Sequence, residues 1–170
     1  MESVLTSITV YPVKGMRGIA MERVRIGVRG PQHDRQWMVV DHAGTFCSQR
    51  TMPCMALLVP RFEGDDLVIR SPGGGEVRVP IAGVQGAEAS VTVHRTRQSG
   101  VDQGEHVAGF LSDALAENVR LVRMPDTFVR RVASSAVSGA QTGFADAFPI
   151  LIANEASLAD LNRCNIDRGG

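Results

Sequence analysis

Arg35-Gln36-Trp37-Met38-Val39-Val40-Asp41-His42-Ala43-Gly44-Thr45-Phe46-Cys47-Ser48-Gln49-Arg50 is the stretch that decides the fold class. Residues 35–41 and 46–50 flank Asp41-His42-Ala43-Gly44-Thr45, whose Asp and Gly supply turn chemistry, so the stretch predicts a β-hairpin. The same grammar recurs on both sides. Residues 5–13 are rich in β-branched side chains, and residues 23–28 alternate polar with apolar positions. Residues 56–62 and 67–70 bracket Glu63-Gly64-Asp65-Asp66, a second hairpin. After the Ser71-Pro72-Gly73-Gly74-Gly75 turn come strand-like residues 76–81 and 89–96. Strands at this short spacing predict an antiparallel sandwich or small barrel.

The hydrophobic period changes at Asp102. Asp102-Gln103-Gly104-Glu105 has the pattern of a cap with an acid three residues on, and Val107, Phe110, Leu111, Ala114 and Leu115 then recur at helical spacing as far as about Asn118. Residues 119–124 are strand-like. Residues 125–143, rich in Ser, Ala and Gly and containing Arg130-Arg131, have no period and predict a long loop. Residues 149–153 predict a short buried strand, and residues 155–163 a helix with Asn154 or Ser157 as its cap. The class is mainly β with α (α+β): an antiparallel, β-barrel-like N-terminal domain with one or two helices.

At 170 residues and 44% hydrophobic content the chain can bury a real core. Lys plus Arg and Asp plus Glu stand at 18 each, which gives no long-range attraction to a polyanion and argues against nucleic acid and anionic membrane as partners. No apolar run approaches the roughly 20 residues needed to cross a bilayer, and Met1-Glu2-Ser3 lacks a secretory start, so the expected compartment is the cytoplasm. Cys47, Cys54 and Cys164 are odd in number and unevenly spaced, making neither a disulfide framework nor a Cys-x-x-Cys site. His33, His42, His94 and His106 offer no i, i+4 pair, so no metal site is expected from side chains in this stretch.

The candidates for chemistry are cations at strand ends. Tyr11-Pro12-Val13-Lys14-Gly15 closes a strand at a Pro and a Gly, where Lys14 can either point into a cleft or stand solvated. Asp34-Arg35-Gln36-Trp37 sets Arg35 between an acid and the only tryptophan, which leaves three roles open: a partner of Asp34, a stack on Trp37, or a fork that grips phosphate. Gln49-Arg50 reads as part of a turn. Arg130 and Arg131 could close over an anion or remain a solvated loop pair. Asp102 and Glu105 are better explained by capping than as an acid pair. The chain has no Walker-type phosphate loop, no serine nucleophile elbow and no Cys set beside a His as nucleophile, so no catalytic residue is assigned.

Taken together, five phrases in order resemble the MOSC family, the molybdenum cofactor sulfurase C-terminal domain proteins, in particular members that begin with the family's N-terminal β-barrel region. They are Tyr11-Pro12-Val13-Lys14; Asp34-Arg35-Gln36-Trp37 with Val39-Val40-Asp41; Gln49-Arg50 with Pro53-Cys54-Met55-Ala56-Leu57; Asp102-Gln103-Gly104; and Phe144-Ala145-Asp146 leading to Ala156-Ser157-Leu158-Ala159-Asp160-Leu161-Asn162. By this resemblance residues 1–125 form the barrel domain, and residues 126–170 a loop and the truncated start of the MOSC domain proper. Characterised members bind the molybdenum cofactor (molybdopterin), and some reduce N-hydroxylated compounds with electrons from redox partner proteins. The resemblance makes Lys14 and Arg35 cofactor-binding residues, with charge-assisted bonds to the pterin phosphate as the physical reason.

Two departures qualify the carry-over. Gly15 stands where the members that reduce N-hydroxylated compounds have a serine, and Ala147-Phe148 where they carry hydroxyl residues. The family's molybdenum-ligating cysteine lies beyond the Ser157-Leu158-Ala159-Asp160-Leu161-Asn162 helix, so Cys164 falls too early to be that ligand. The expectation is therefore part of a cofactor-binding MOSC protein, an oxidoreductase or sulfur carrier with a small-molecule substrate, whose catalytic cysteine lies outside these residues. The alternative is a naturally short, non-catalytic module that binds an anionic small molecule or a partner protein.

Overall fold

Trp37, Met38, Val39 and Val40 are all apolar, and a strand apolar on both faces must be covered on both. That requirement organises the fold. The structure, a computed structural model, describes residues 4–82, 86–93, 96–133 and 138–167. Its strands are β1 (Ile8–Val10), β2 (Val13–Lys14), β3 (Ile19–Met21), β4 (Ile26–Gly27), β5 (Gly30–Pro31), β6 (Trp37–Asp41), β7 (Val59–Glu63), β8 (Asp66–Arg70), β9 (Glu76–Pro80), β10 (Glu88–Val93), β11 (Thr96–Asp102) and β12 (Val119–Arg123). The helices are α1 (Glu105–Leu115) and α2 (Glu155–Asp167), with a 3-10 turn at Pro53–Leu57.

The main sheet has the order β10-β11-β12-β6-β2, antiparallel except for the parallel pair β2–β6, in which Val13 faces Trp37 and Lys14 faces Met38. A second sheet, β7-β8-β9, is an antiparallel meander, and β1–β3 and β4–β5 are two-stranded ribbons. Period-2 alternation sends Trp37 and Val39 to one side of β6 and Met38 and Val40 to the other. On the first side they join Leu67, Ile69, Val77 and Val79 of the meander and Val107, Leu111 and Leu115 of α1 in the larger core. On the second they join Val91, Val93, Val122, Met124, Phe128 and Phe144. The α+β class stands, while the sheets remain separate among the described residues, so the barrel is an open one.

Several local expectations change. The first hairpin has only one true arm: residues 46–50 contribute a single bridge, Val40 to Phe46, before the chain turns at Ser48. Residues 56–57 belong to the 3-10 turn, where Pro53 blocks strand pairing. The strand expected over 89–96 ends at Val93 and a separate strand, β11, begins at Thr96; His94 and Arg95 lie outside the described residues. Asp102 ends β11 rather than capping α1. Gly104 is the N-cap, with no side-chain cap bond, because the Asp102 carboxylate is taken by the Arg120 guanidinium and the Gly104 N–H. Residues 149–153 form no strand, and Leu151 and Ile152 are exposed. Asn154, not Ser157, caps α2: its Oδ1 accepts the Ala156 N–H at 2.7 Å.

Candidate functional site

Among the 18 cationic side chains of this protein Lys14 alone is a lysine. Pairing of β2 with β6 buries Val13 completely, and the alternation of the strand then turns Lys14 the opposite way. Gly15 follows at a φ of +85°, in the left-handed region that favours glycine, and a Cβ there would lie 3.0 Å from Met55 Cε. The Lys14 side chain is 11% exposed. Its ammonium donates to the Phe144 carbonyl at 2.8 Å and to the Asp146 carboxylate, and lies 4.7 Å from the centre of the Phe46 ring. Burial holds its pKa below the usual 10.5; Asp146 opposes that shift, and the charges of Arg130 and Arg35 add to it.

Arg35 is held by its backbone in an unusual place. Its φ is +45°, which for a residue with a Cβ costs about 1–2 kcal/mol. Hydrogen bonds on both sides impose it: the Arg35 N–H donates to Tyr11 O at 2.7 Å, and the Arg35 carbonyl accepts from Phe144 N–H at 3.0 Å. The guanidinium pairs with the Asp34 carboxylate, which is buried and also accepts the Tyr11 N–H at 2.8 Å. Of the roles left open by the sequence, pairing with Asp34 is present. The stack is on Tyr11, 4.8 Å from the ring centre, rather than on Trp37, which is wholly buried in the core.

Both cations line one cleft of about 510 Å³, a size suited to a small molecule. Gln49, Arg50, Asp146, Ala147 and Phe148 line the same cleft. Gln49 Nε2 donates to the Gly15 carbonyl at 2.8 Å, so the phrase read as a turn closes over the glycine. Cys47 reaches the same cleft, but its thiol is pushed up to about 11 by burial, with the carboxylates of Asp41 and Glu117 adding to the shift. Among the described residues no three His, Cys, Asp or Glu side chains converge as a metal site.

The loop arginines part company. Arg131 is exposed and bridges to Gln141, whereas Arg130 turns inward and donates to the carbonyls of Gly143, Ala145 and Asp146. Sequence reasoning missed Asp146, Phe46 and Tyr11 as site residues. Asp146 stood inside a quoted phrase, but nothing local shows that a carboxylate there meets a lysine 132 positions earlier.

The family model of the MOSC N-terminal beta barrel domain matches residues 2–118. The chain belongs to the MOSC family. Mitochondrial amidoxime reducing component 2 of Bos taurus is 30% identical over 93% of this MOSC chain and 50% of its own length. Mitochondrial amidoxime-reducing component 1 of Homo sapiens is 31% identical over 90% of the chain and 48% of its own length. Molybdenum cofactor sulfurase of Danio rerio is 26% identical over 95% of the chain and 20% of its own length. The MOSC chain thus spans about half the length of the amidoxime-reducing relatives and a fifth of the sulfurase. The solution structure of a protein from Bordetella bronchiseptica shares the fold, with a TM-score of 0.50 at 18% identity over 61% of this chain and 87% of that one. Among the described residues no helix is long and apolar enough to cross a membrane.

Proposed function

We propose that the cleft at Lys14 and Arg35 holds the molybdenum cofactor by its pterin phosphate. The observation that supports this most is convergence: the only lysine and an arginine forced into a left-handed backbone, from two separate phrases, line one cleft of small-molecule size. The residues present suit such a group. Two fixed cations match a phosphate through charge-assisted bonds, and the Asp146 carboxylate in the same cleft offers acceptors to the N–H groups of a pterin. An ammonium has three N–H donors, and two of those on Lys14 meet the Phe144 carbonyl and the Asp146 carboxylate. The Lys14 side chain is 11% exposed and that of Asp146 is 67% exposed, so the ion pair meets solvent on its Asp146 side.

When bound, the cofactor would supply molybdenum redox chemistry, and the residues of this chain bind and orient it. On this reading none of the three cysteines is the metal's protein thiolate: Cys47 is buried, Cys54 packs against the core, and Cys164 lies on the exposed helix α2. It comes from outside these 170 residues. We therefore take residues 1–125 as the cofactor-gripping barrel domain and residues 126–170 as the opening of a second domain. The whole protein, on this view, is a molybdenum-dependent oxidoreductase acting on N-hydroxylated compounds, or a sulfur carrier, in line with the two kinds of named relative. Three free cysteines suit the reducing environment of the cytoplasm.

Calorimetric titration with 6-hydroxymethylpterin phosphate, beside inorganic phosphate, tests the reading. Lys14→Ala and Arg35→Ala are each expected to weaken pterin phosphate binding about tenfold, as loss of one charged hydrogen bond should. Variants that bind like the wild type would remove both residues from the site. Equal affinity for inorganic phosphate and the pterin phosphate would favour the alternative, a general anion-binding module.

A further inference from the structure

Three carbonyls within four residues turn toward a single guanidinium. Arg130 Nη1 donates to Gly143 O at 3.0 Å and to Ala145 O, and Nη2 donates to Asp146 O at 3.2 Å. The carbonyl of Arg130 in turn accepts the Thr142 N–H at 3.0 Å. The segment so gathered is the one that serves both cations of the cleft: the Phe144 N–H donates to the Arg35 carbonyl, the Phe144 carbonyl accepts from Lys14, and the Asp146 carboxylate pairs with Lys14. Gly143 and Ala145 are buried, so their carbonyls without Arg130 would be costly to leave unpaired, and the segment would have to rotate to find other donors. Rotation would carry Phe144 O and Asp146 away from the ammonium. A lysine at 130 could not substitute, because its point charge on a flexible stem lacks the planar fork that reaches several acceptors at fixed angles. Gly143 shows how closely the segment is seated: a Cβ there would meet Met124 Cε at 3.0 Å and Arg35 O at 3.1 Å.

We propose that Arg130 is a positioning residue for the cleft, fixing residues 143–146 so that Phe144 O and Asp146 hold the Lys14 ammonium at the wall where the anion binds. Its bearing on binding rests on the proposed anion site at Lys14 and Arg35. Arg130 itself does not line that cleft. It acts through the segment it organises.

The single lysine makes a clean test on the full chain. Acetylation by an N-hydroxysuccinimide ester, read by mass mapping of the peptide containing Lys14, reports how firmly that amine is held. Arg130→Lys keeps the positive charge, so any change it causes reflects loss of the fork. Arg130→Lys and Arg130→Gln are both expected to speed acetylation of Lys14 about fivefold or more through local opening of the segment. Val77→Ala, a core change in the other sheet, is the control and should leave the rate near that of the wild type. In the titration with 6-hydroxymethylpterin phosphate, Arg130→Gln is expected to weaken binding about tenfold in the native background and not at all in Lys14→Ala, because its effect passes through Lys14. A wild-type acetylation rate in both Arg130 variants, or the same rise in Val77→Ala, overturns the proposal. Faster acetylation in a protein whose native form binds no pterin phosphate would uphold the positioning role and overturn the anion-site reading instead.

Discussion

At Lys14 the shape of the cation matters as well as its charge. A tetrahedral ammonium meets the Phe144 carbonyl, the Asp146 carboxylate and the Phe46 ring from one point, and a longer planar guanidinium cannot. Lys14→Arg is therefore expected not to restore the affinity for pterin phosphate that Lys14→Ala loses. Because burial lowers the Lys14 pKa, the ammonium gives up its proton at a pH below 10.5. On the proposed anion-site reading, affinity is full while Lys14 is charged and falls as pH rises through the lowered value, so binding measured against pH should fade earlier than an exposed lysine would allow. The effect on folding has the opposite sign: the unfolded chain holds this proton more tightly, so the stability sacrificed by burying the charge returns as pH climbs from the lowered pKa toward 10.5. Cys47 gives a second check. With its thiol raised to about 11 and its side chain buried, it should be the last of the three cysteines to be alkylated at neutral pH, and Cys164 on exposed α2 the first.

Among the elements, β6 carries the fold, and Trp37→Ala should cost about 3–5 kcal/mol by denaturant titration, since it empties a fully buried site at the joint of two sheets and α1. Arg120 ties β11 to β12 and to the start of α1 through Asp102 and Glu105. Its hydrogen bonds lower the Asp102 pKa below 3.8, so their contribution is present above that value and is lost as pH falls through the lower, folded-state pKa. Asp102→Asn should therefore reduce stability at neutral pH by about 1 kcal/mol and flatten the acid limb of the stability curve. The elements legible in sequence were those whose pattern is local. The strands β7 and β8 flank the Glu63-Gly64-Asp65-Asp66 turn, β9 follows the Gly-rich turn, and α1 repeats at helical spacing. Those missed were set by distant partners. β11 opens with the polar residues Thr96-Arg97-Gln98-Ser99, and its pairing with β10 makes it a strand. The apparent capping box failed because Arg120, 18 positions away, claims Asp102. The apolar residues 149–153 promised burial that no described element provides. In the site, Lys14 and Arg35 stood out because each sits in a recognisable phrase, while Asp146 and Arg130 gain their roles only through contacts that no spacing rule anticipates.

Across the whole molecule, cohesion is uneven. Helix α2 has no buried residue, whereas β6 and β12 are packed on both faces. Hydrogen exchange should accordingly release the α2 amides by local fraying well before those of β6 and β12, and equal protection of the two regions would contradict this partition. The cleft itself joins opposite parts of the chain: 130 positions separate Lys14 from Phe144. During synthesis at about 5–20 residues per second, the first wall of the cleft leaves the ribosome roughly 6 to 26 seconds before the second. For that interval the lysine has neither Asp146 nor the carbonyl of Phe144, and Arg35 lacks the amide that pins its carbonyl. The nascent chain thus passes through a stage in which Lys14 and Arg35 are unorganised, and on the proposed reading loading of a ligand into the finished cleft must wait for the segment around residue 146 to emerge and dock.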